Sequence, residues 1–599
     1  MESAACKTLY QDHGILPAMC RPHLSPNMLN RLFVRHTATR SSFVRLLALL
    51  LLAVLLPTPR LLGQAPPPDT IYVNGNIYTC NAIRPRAEAI AVAGERVAAL
   101  GTTVEIRRLA PQGVKVVDIS GKTVLPGLID SHGHMSGLGS FGLGRLDLSR
   151  ATSFDDMVAI AKEKAAATPP GQWILGGRWD HESWRDRRLP SHAALSEATP
   201  NHPVFLKRVD GHAGVANAAA LKLAGITRDT PSPAGGEILK DASGEPTGVL
   251  VDNAMELVAK VINSPEPSTA DLLLKAQEMC LSVGLTGVHD AGVSPADVVV
   301  YQRLLDEGKL AIRVYAMIAG PYAIRYFEKN DVLVGPTLTV RAAKMYIDGA
   351  LGSRGAWLLD PYADRPLDDR RQPYTGLSVM KPEFLRMVAE NGLQRGYQVC
   401  THAIGDRGNR ETLNAYSLVL SRRQRPNHRF RIEHAQVLAP EDIPRFKKLG
   451  VVAAMQPSHC TSDMRWAEAR LGEKRCKGAY AWASLIRAGV PVAGGSDFPV
   501  ESHNPFLGFY AAVTRQDAAG QPPSGWQPQE RVSRQETLAM YTMWAAYAAF
   551  EETEKGSLES GKLADFIVID RDVMTCEPRE ILETNVLKTV LGGKVVYSP

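Results

Sequence analysis

His132 and His134 stand two residues apart at the end of an apolar run, LPGLIDSHGH (125–134). If that run is a strand, positions i and i+2 share a face, and two imidazoles project together toward one divalent ion. A histidine pair on a surface or in a core would read the same way, so the pair alone decides little. Three further apolar runs end similarly: Thr401-His402, Ile432-Glu433-His434 and Gly495-Ser496-Asp497. A lone histidine in such a place is more often a satisfied core residue. Four histidines and one aspartate at four run ends point instead to a shared partner, because buried polar groups left unpaired are costly. Lys344 lies in a fifth apolar run, VRAAKMYIDG (340–349). Its ammonium would be expensive to bury unless paired with Asp348 or Asp497, or unless CO₂ converts it to a carbamate that bridges two metals. The residues themselves leave these two readings level. Cys400, one layer below His402, reads as packing.

The elements that would carry these groups recur along the chain. Strand-like runs at 123–131, 284–289, 313–318, 341–347, 397–402, 430–434, 451–456 and 490–496 alternate with helical stretches at 270–283, 381–396 and 440–449. Eight such units predict an α/β fold, a TIM (β/α)8 barrel, with the polar residues at the strand ends where barrel enzymes place their chemistry. About 150 residues separate the first two runs, which requires an inserted subdomain at 140–265 after the first barrel strand. Trp173, Trp179 and Trp184 read as its core rather than as a substrate platform. Short alternating runs with glycine turns fill 66–122 and return at 546–599, predicting a small β-sandwich built from both chain ends around a barrel at 123–545.

The chain has 599 residues, 45% hydrophobic and 22% charged, and a net charge of +6. That composition excludes a disordered, collagen-like or polytopic membrane protein. Residues 1–65 hold seven basic and two acidic groups, so the rest is balanced at 61 against 60, a net of +1. No basic patch marks the body for nucleic acid. Arg45 precedes eleven apolar residues at 46–56, about 16 Å of helix against a bilayer core of ~30 Å. Gly63-Gln64-Ala65 then offers a small-x-small cleavage site, so 1–65 reads as a cleavable export signal, with translation starting at Met28, and no stable membrane span in the mature form. An uncleaved anchor at 46–56 is the alternative. Of eight cysteines, the six beyond residue 65 are scattered without a CxxC pair and predict a body held by its core rather than by disulfides.

Taken together, LPGLIDSHGH (125–134), RVDGHAG (208–214), GVHDAG (287–292), KMYIDGALGSR (344–354), THAIGDR (401–407), RIEHAQ (431–436), MQPSH (455–459), GGSDFPV (494–500) and GSLESGKLADFIVID (556–570) resemble the metal-dependent amidohydrolase superfamily. The resemblance is to its amidohydrolase-3 branch, which includes YtcJ-like proteins and N-substituted formamide deformylases, and it runs from about residue 69 to the end. It implies two divalent metal ions, zinc first among them: one held by His132, His134 and Asp497, the other by His402 and His434, with carboxylated Lys344 between them. It further implies an exported hydrolase of a non-peptide C–N bond in a small amide-type substrate, using a metal-activated hydroxide with Asp497 as general base and then acid. His289 and His459, at the ends of the second and seventh strands, either contact substrate or line the mouth. Arg354 and Asp360-Pro361-Tyr362, in the loop after the fourth strand, are expected to shape the pocket. Asp210 and His212 lie in the insertion, which the resemblance places over the site. The segment His212-Ala213-Gly214-Val215-Ala216-Asn217-Ala218 lacks the aromatic and serine that members often carry there, implying a smaller wall and a substrate other than a formamide. A cyclic-amide, lactone or ester hydrolase with the same metals is the second reading, and a non-catalytic exported binding protein the third. The oligomeric state is left open, a homo-oligomer included.

Overall fold

The computed structural model describes residues 66–599 apart from 264–266, 369 and 424–425. The expected export signal, the Met28 start and the apolar run 46–56 lie outside the described residues. Among the described residues no helix is long and apolar enough to cross a membrane.

Eight parallel strands form the centre: β1 (Leu128–Gly133), β2 (Leu285–Val293), β3 (Arg313–Ala319), β4 (Leu338–Tyr346), β5 (Gln398–Ala403), β6 (Arg431–His434), β7 (Val452–Met455) and β8 (Val492–Gly494). Each pairs in parallel with its sequence neighbour, as β4 does with β5 through Lys344↔Cys400 and Tyr346↔His402. The strands are apolar on both faces because helices cover the outside and side chains fill the inside. Helices such as Thr269–Ser282, Pro382–Arg395 and Asp406–Arg422 supply that cover. The ring is nearly closed. Between β8 and β1 the ladder is reduced to one bridge, Gly133↔Phe498, reinforced by Asp497 N–H donating to His132 O at 2.7 Å and His134 N–H to Phe498 O at 2.8 Å.

The first strand departs from its expected 123–131 span. Thr123–Pro126 pairs with Phe566–Ile569 and with Asn76–Tyr78 in a six-stranded sheet from both ends of the chain, and the barrel strand begins only at Leu128. The apolar run is continuous through this point, so the change of sheet at Gly127 has no signature in hydropathy. A second, four-stranded sheet from residues 70–118 packs its own apolar residues nearby, Ile71, Val73 and Ala91 among them.

Between β1 and β2 lies a six-stranded mixed sheet, running Gly236–Lys240, Pro246–Asp252, Ala213–Ala216, Val204–Arg208, Ile174–Trp179 and Leu146–Asp147 across its width. Trp179 and Trp184 are buried in the core on one face of it, and Trp173 in the core on the other. The six cysteines of the described residues are free thiols.

Candidate metal centre

Four imidazoles meet at the C-terminal mouth of the barrel. Ring centroids run His134 to His132 at 5.5 Å, His132 to His434 at 4.9 Å and His434 to His402 at 4.5 Å. The alternation of β1 explains the first pair: His132 is the inward residue of the strand, and His134 follows just past its end. His434 and Asp497 sit at φ +72° and +58°, a region non-glycine residues occupy at a cost of about 1–3 kcal/mol and mostly at functional sites. Gly495 lets this end of the barrel close, since a Cβ there would lie 2.8 Å from both Asp130 Oδ1 and the His132 nitrogen. Asp130 accepts from the backbone N–H of His132 at 3.0 Å and from the Ser496 hydroxyl at 2.6 Å, tying β1 to the segment that carries Asp497.

The rings share one orientation. His132 Nδ1 faces Glu433, His134 Nδ1 donates to the Ala291 carbonyl at 2.8 Å, and His434 Nδ1 donates to Gln456 Oε1 at 2.8 Å. These partners accept, so Nδ1 carries a hydrogen in each ring; the Nε2 atoms of His132 and His434 are left for the cavity, while that of His134 lies 2.9 Å from Asp497 Oδ1. This is the arrangement by which outer acceptors aim metal-binding imidazoles. Burial, with the Lys344 charge added, lowers the His132 pKa to about 4, and burial holds His402 and His434 well below the usual histidine range. Neutral rings are the form that coordinates a cation. Burial alone would raise Asp497, but His132 and the His134 hydrogen bond hold its carboxyl well below the ordinary value. It is therefore ionised.

The donor set fits a divalent cation. Ligand atoms of His132, His134 and Asp497 lie within 4.8 Å of one another, and so do those of His434, His459 and Asp497. His402 stands outside both sets, yet its buried Nε2 has no hydrogen-bond partner and lies 3.8 Å from Asp348 Oδ1. Such an orphaned nitrogen needs an electrophile. Lys344 is 1% exposed, with Nζ 3.0 Å from His132 Nε2 and 4.4 Å above the Tyr346 ring. Asp348, the nearer of its two expected partners in sequence, instead accepts the backbone N–H groups of Trp357, Ile404 and Gly405 at 2.8–3.0 Å.

A cavity of about 700 Å³ opens from the centre, lined by Lys344, His402, His434 and Asp497 with Phe141, Met255, Met380 and Phe384. A smaller one of about 190 Å³ adjoins it, lined by His459, Asp463, Trp466 and Glu501. His212 and Arg208 line both. Two expected contacts lie elsewhere. His289 is buried behind the ligands with Nδ1 2.9 Å from Arg431, and Arg354 is turned away to Asp364 at 2.9 Å; neither lines these cavities. Their partners stand 142 and 10 residues away, and nothing local in the sequence announced either pairing. Sequence reasoning also passed over Glu433, Gln456 and Asp252, each within hydrogen-bond distance of a histidine Nδ1 from another part of the chain.

The family model described as "Amidohydrolase family" matches residues 115–597. Arabidopsis thaliana Protein LONG AFTER FAR-RED 3 is 35% identical over 550 residues, covering 88% of this chain and 91% of that protein. The N-substituted formamide deformylase of Arthrobacter pascens is 31% identical over 551 residues, covering 88% and 98%. Among solved structures, an uncharacterized metal-dependent hydrolase from Pyrococcus horikoshii OT3 superposes with a TM-score of 0.68 at 28% identity, over 85% of this chain and 99% of that one. With its barrel and its histidine-lined mouth, the chain belongs to the amidohydrolase family of metal-dependent hydrolases that act on carbon–nitrogen bonds.

Proposed function

We propose that this protein is an exported hydrolase that cleaves the non-peptide C–N bond of a small amide with two divalent metal ions, zinc being the ion its imidazole-rich donor set suits. One ion would be held by His132, His134 and Asp497, the other by His402 and His434, with the Lys344 carbamate between them. The carbamate would form when the Lys344 ammonium gives up one proton and the resulting amine adds to CO₂ with loss of a second, exchanging a buried cation for an anion able to hold metal. The observation that supports this reading is a row of imidazoles, His132, His434 and His402, whose His132 Nε2 lies 3.0 Å from a buried lysine to which, among the described residues, no carboxylate is ion-paired.

When bound, such ions lower the pKa of water toward ~7 and polarise a carbonyl. The chain's own residues do the rest. Asp497, ionised and beside His134, accepts a proton from the attacking water and returns it to the leaving nitrogen. His212 and His459 face the substrate in the larger and smaller cavities, whose walls exclude bulk water. In the same reading residues 66–122 and 546–599 form one β-sandwich domain, 123–545 the barrel with the 140–265 insertion over its mouth, and 1–65 the export signal.

Elemental analysis of the purified protein with Lys344→Ala and Asp497→Ala tests it. Two ions per chain in the wild type, fewer without Lys344, and a folded but inactive Asp497 variant are expected. A metal-free wild type with full amidase activity would overturn the proposal.

A further inference from the structure

One pair of the insertion, the half-buried His212 and the buried Asp252, is turned toward the centre, and its acid has no part in the chemistry above. His212 lies with its ring centroid 4.9 Å from that of His402, extending the row of imidazoles at the end away from His134 and Asp497. Its Nδ1 is 2.6 Å from Asp252 Oδ1, and the Asp252 backbone N–H donates to the His212 carbonyl at 2.9 Å. The two residues are thus joined at two points. With Nδ1 taken, Nε2 is the polar end of the ring left for the substrate.

The seat of Asp252 is built for this carboxylate. The residue ends the strand Pro246–Asp252 at φ +47°, a strained position for a side chain other than glycine. Its carboxylate enters a slot in the loop after β4. A Cβ at Gly349 would come within 2.4 Å of Asp252 Oδ2, and one at Gly355 within 2.5 Å. Oδ2 itself is buried without a hydrogen-bond partner, so the slot does not serve to anchor the carboxylate to that loop. A strained residue, fitted between two glycines and bonded through its side chain to a histidine at the cavity, fixes the direction of that histidine.

We propose that Asp252 is a positioning residue for the hydrolysis, holding His212 so that Nε2 meets the scissile amide on the side of the centre opposite Asp497. This rests on the amide-hydrolase reading above, and the test separates the two. His212→Ala, Asp252→Asn and the double variant are compared with wild type for kcat/KM on an amide panel, for metal content, and for the Kd of benzohydroxamic acid. Loss of the His212 contact is expected to lower kcat/KM about 100-fold, and Asp252→Asn, which keeps the slot filled, about 10- to 100-fold. Both would weaken benzohydroxamate about tenfold at unchanged metal content, taking roughly 1.4 kcal/mol as one decade. In the His212→Ala background Asp252→Asn should then change little. An Asp252→Asn penalty undiminished in that background would make Asp252 a structural filler and overturn the proposal. So would metal loss in His212→Ala, which would make His212 a ligand, or wild-type constants in either single variant. A wild type that binds neither metal nor benzohydroxamate overturns the underlying reading and this proposal with it; equal tight binding by wild type and His212→Ala overturns this one alone.

Discussion

His132 Nδ1 rests against Glu433 with neither side chain exposed, and the Nε of Arg431 lies 2.8 Å from the other oxygen of the same carboxylate. Burial opposes ionisation of Glu433, but Arg431 and His132 together hold its pKa below the usual carboxylate range. One anion therefore orients the His132 ring and neutralises a buried guanidinium.

Glu433→Gln should damage both functions. It leaves Arg431 buried without its counter-charge, which costs about 3–5 kcal/mol, and it loosens the orientation of His132, which typically weakens metal binding 10- to 100-fold. Urea unfolding of the metal-free protein measures the first effect, and competition with a chelator the second. A variant as stable as wild type would show that the ion pair has no such role.

The barrel and its polar strand ends were legible because His132, His402, His434 and Asp497 each stand at the end of a short apolar run, a signal contained within about ten residues. The partners that aim these side chains were not. His289 reads locally like a mouth residue, but Arg431, 142 positions away, turns it into a buried support. The boundary at Gly127 was hidden because TVLP and LID are equally apolar, and only pairing with Phe566–Ile569 assigns the first segment to another sheet. Asp252 ends an ordinary buried strand, and the glycines that frame its carboxylate lie about 100 residues later.

Metal removal should reveal which histidines bind. His402→Asn is expected to lose one ion per chain, whereas His459→Asn keeps both and changes substrate affinity. Saturating zinc would raise the wild-type melting temperature, as any ligand specific to the native state does, by about 2.7 kcal/mol of added stability at a hundred times Kd. In His402→Asn that gain should shrink. The opposite pattern, with His459→Asn losing the ion, would move the second site toward the His434–His459–Asp497 set.

Acid should destabilise the insertion through His181. Burial, with Arg208, Arg470 and Arg354 around it, lowers its pKa to about 2, so it is neutral in the native state. The unfolded chain takes up a proton on that side chain below its ordinary value of ~6.5, while the native state does not. Stability is then full above pH 6.5 and falls by about 1.4 kcal/mol per unit as pH drops below it, roughly 2–3 kcal/mol by pH 4.5. Urea midpoints of wild type and His181→Asn between pH 7.5 and 4.5 check this. The variant should show the shallower decline, and parallel slopes would refute the assignment.

The seam between β8 and β1 carries the last prediction. Here the single bridge is supplemented by Asp130 of β1, which accepts from the Ser496 hydroxyl just past β8 and from the His132 amide of its own strand. Gly495→Ala would push a methyl group into both Asp130 Oδ1 and the His132 nitrogen, and neither is the free end of a flexible side chain. Overpacking of this kind costs about 1–3 kcal/mol. Because the atoms displaced lie beside His132 and Asp497, the strain should appear in the metal site as well as in global stability. Expected are a lower melting temperature and a weaker first metal affinity together. Asp130→Asn provides the comparison: it keeps the volume but replaces one acceptor oxygen with a donor facing N–H groups that need acceptors. It should loosen the same two strands without a steric clash. If Gly495→Ala lowered stability while zinc affinity stayed at the wild-type value, the seam would be a closure of the barrel only, and the ligands on its two sides would be positioned independently of it.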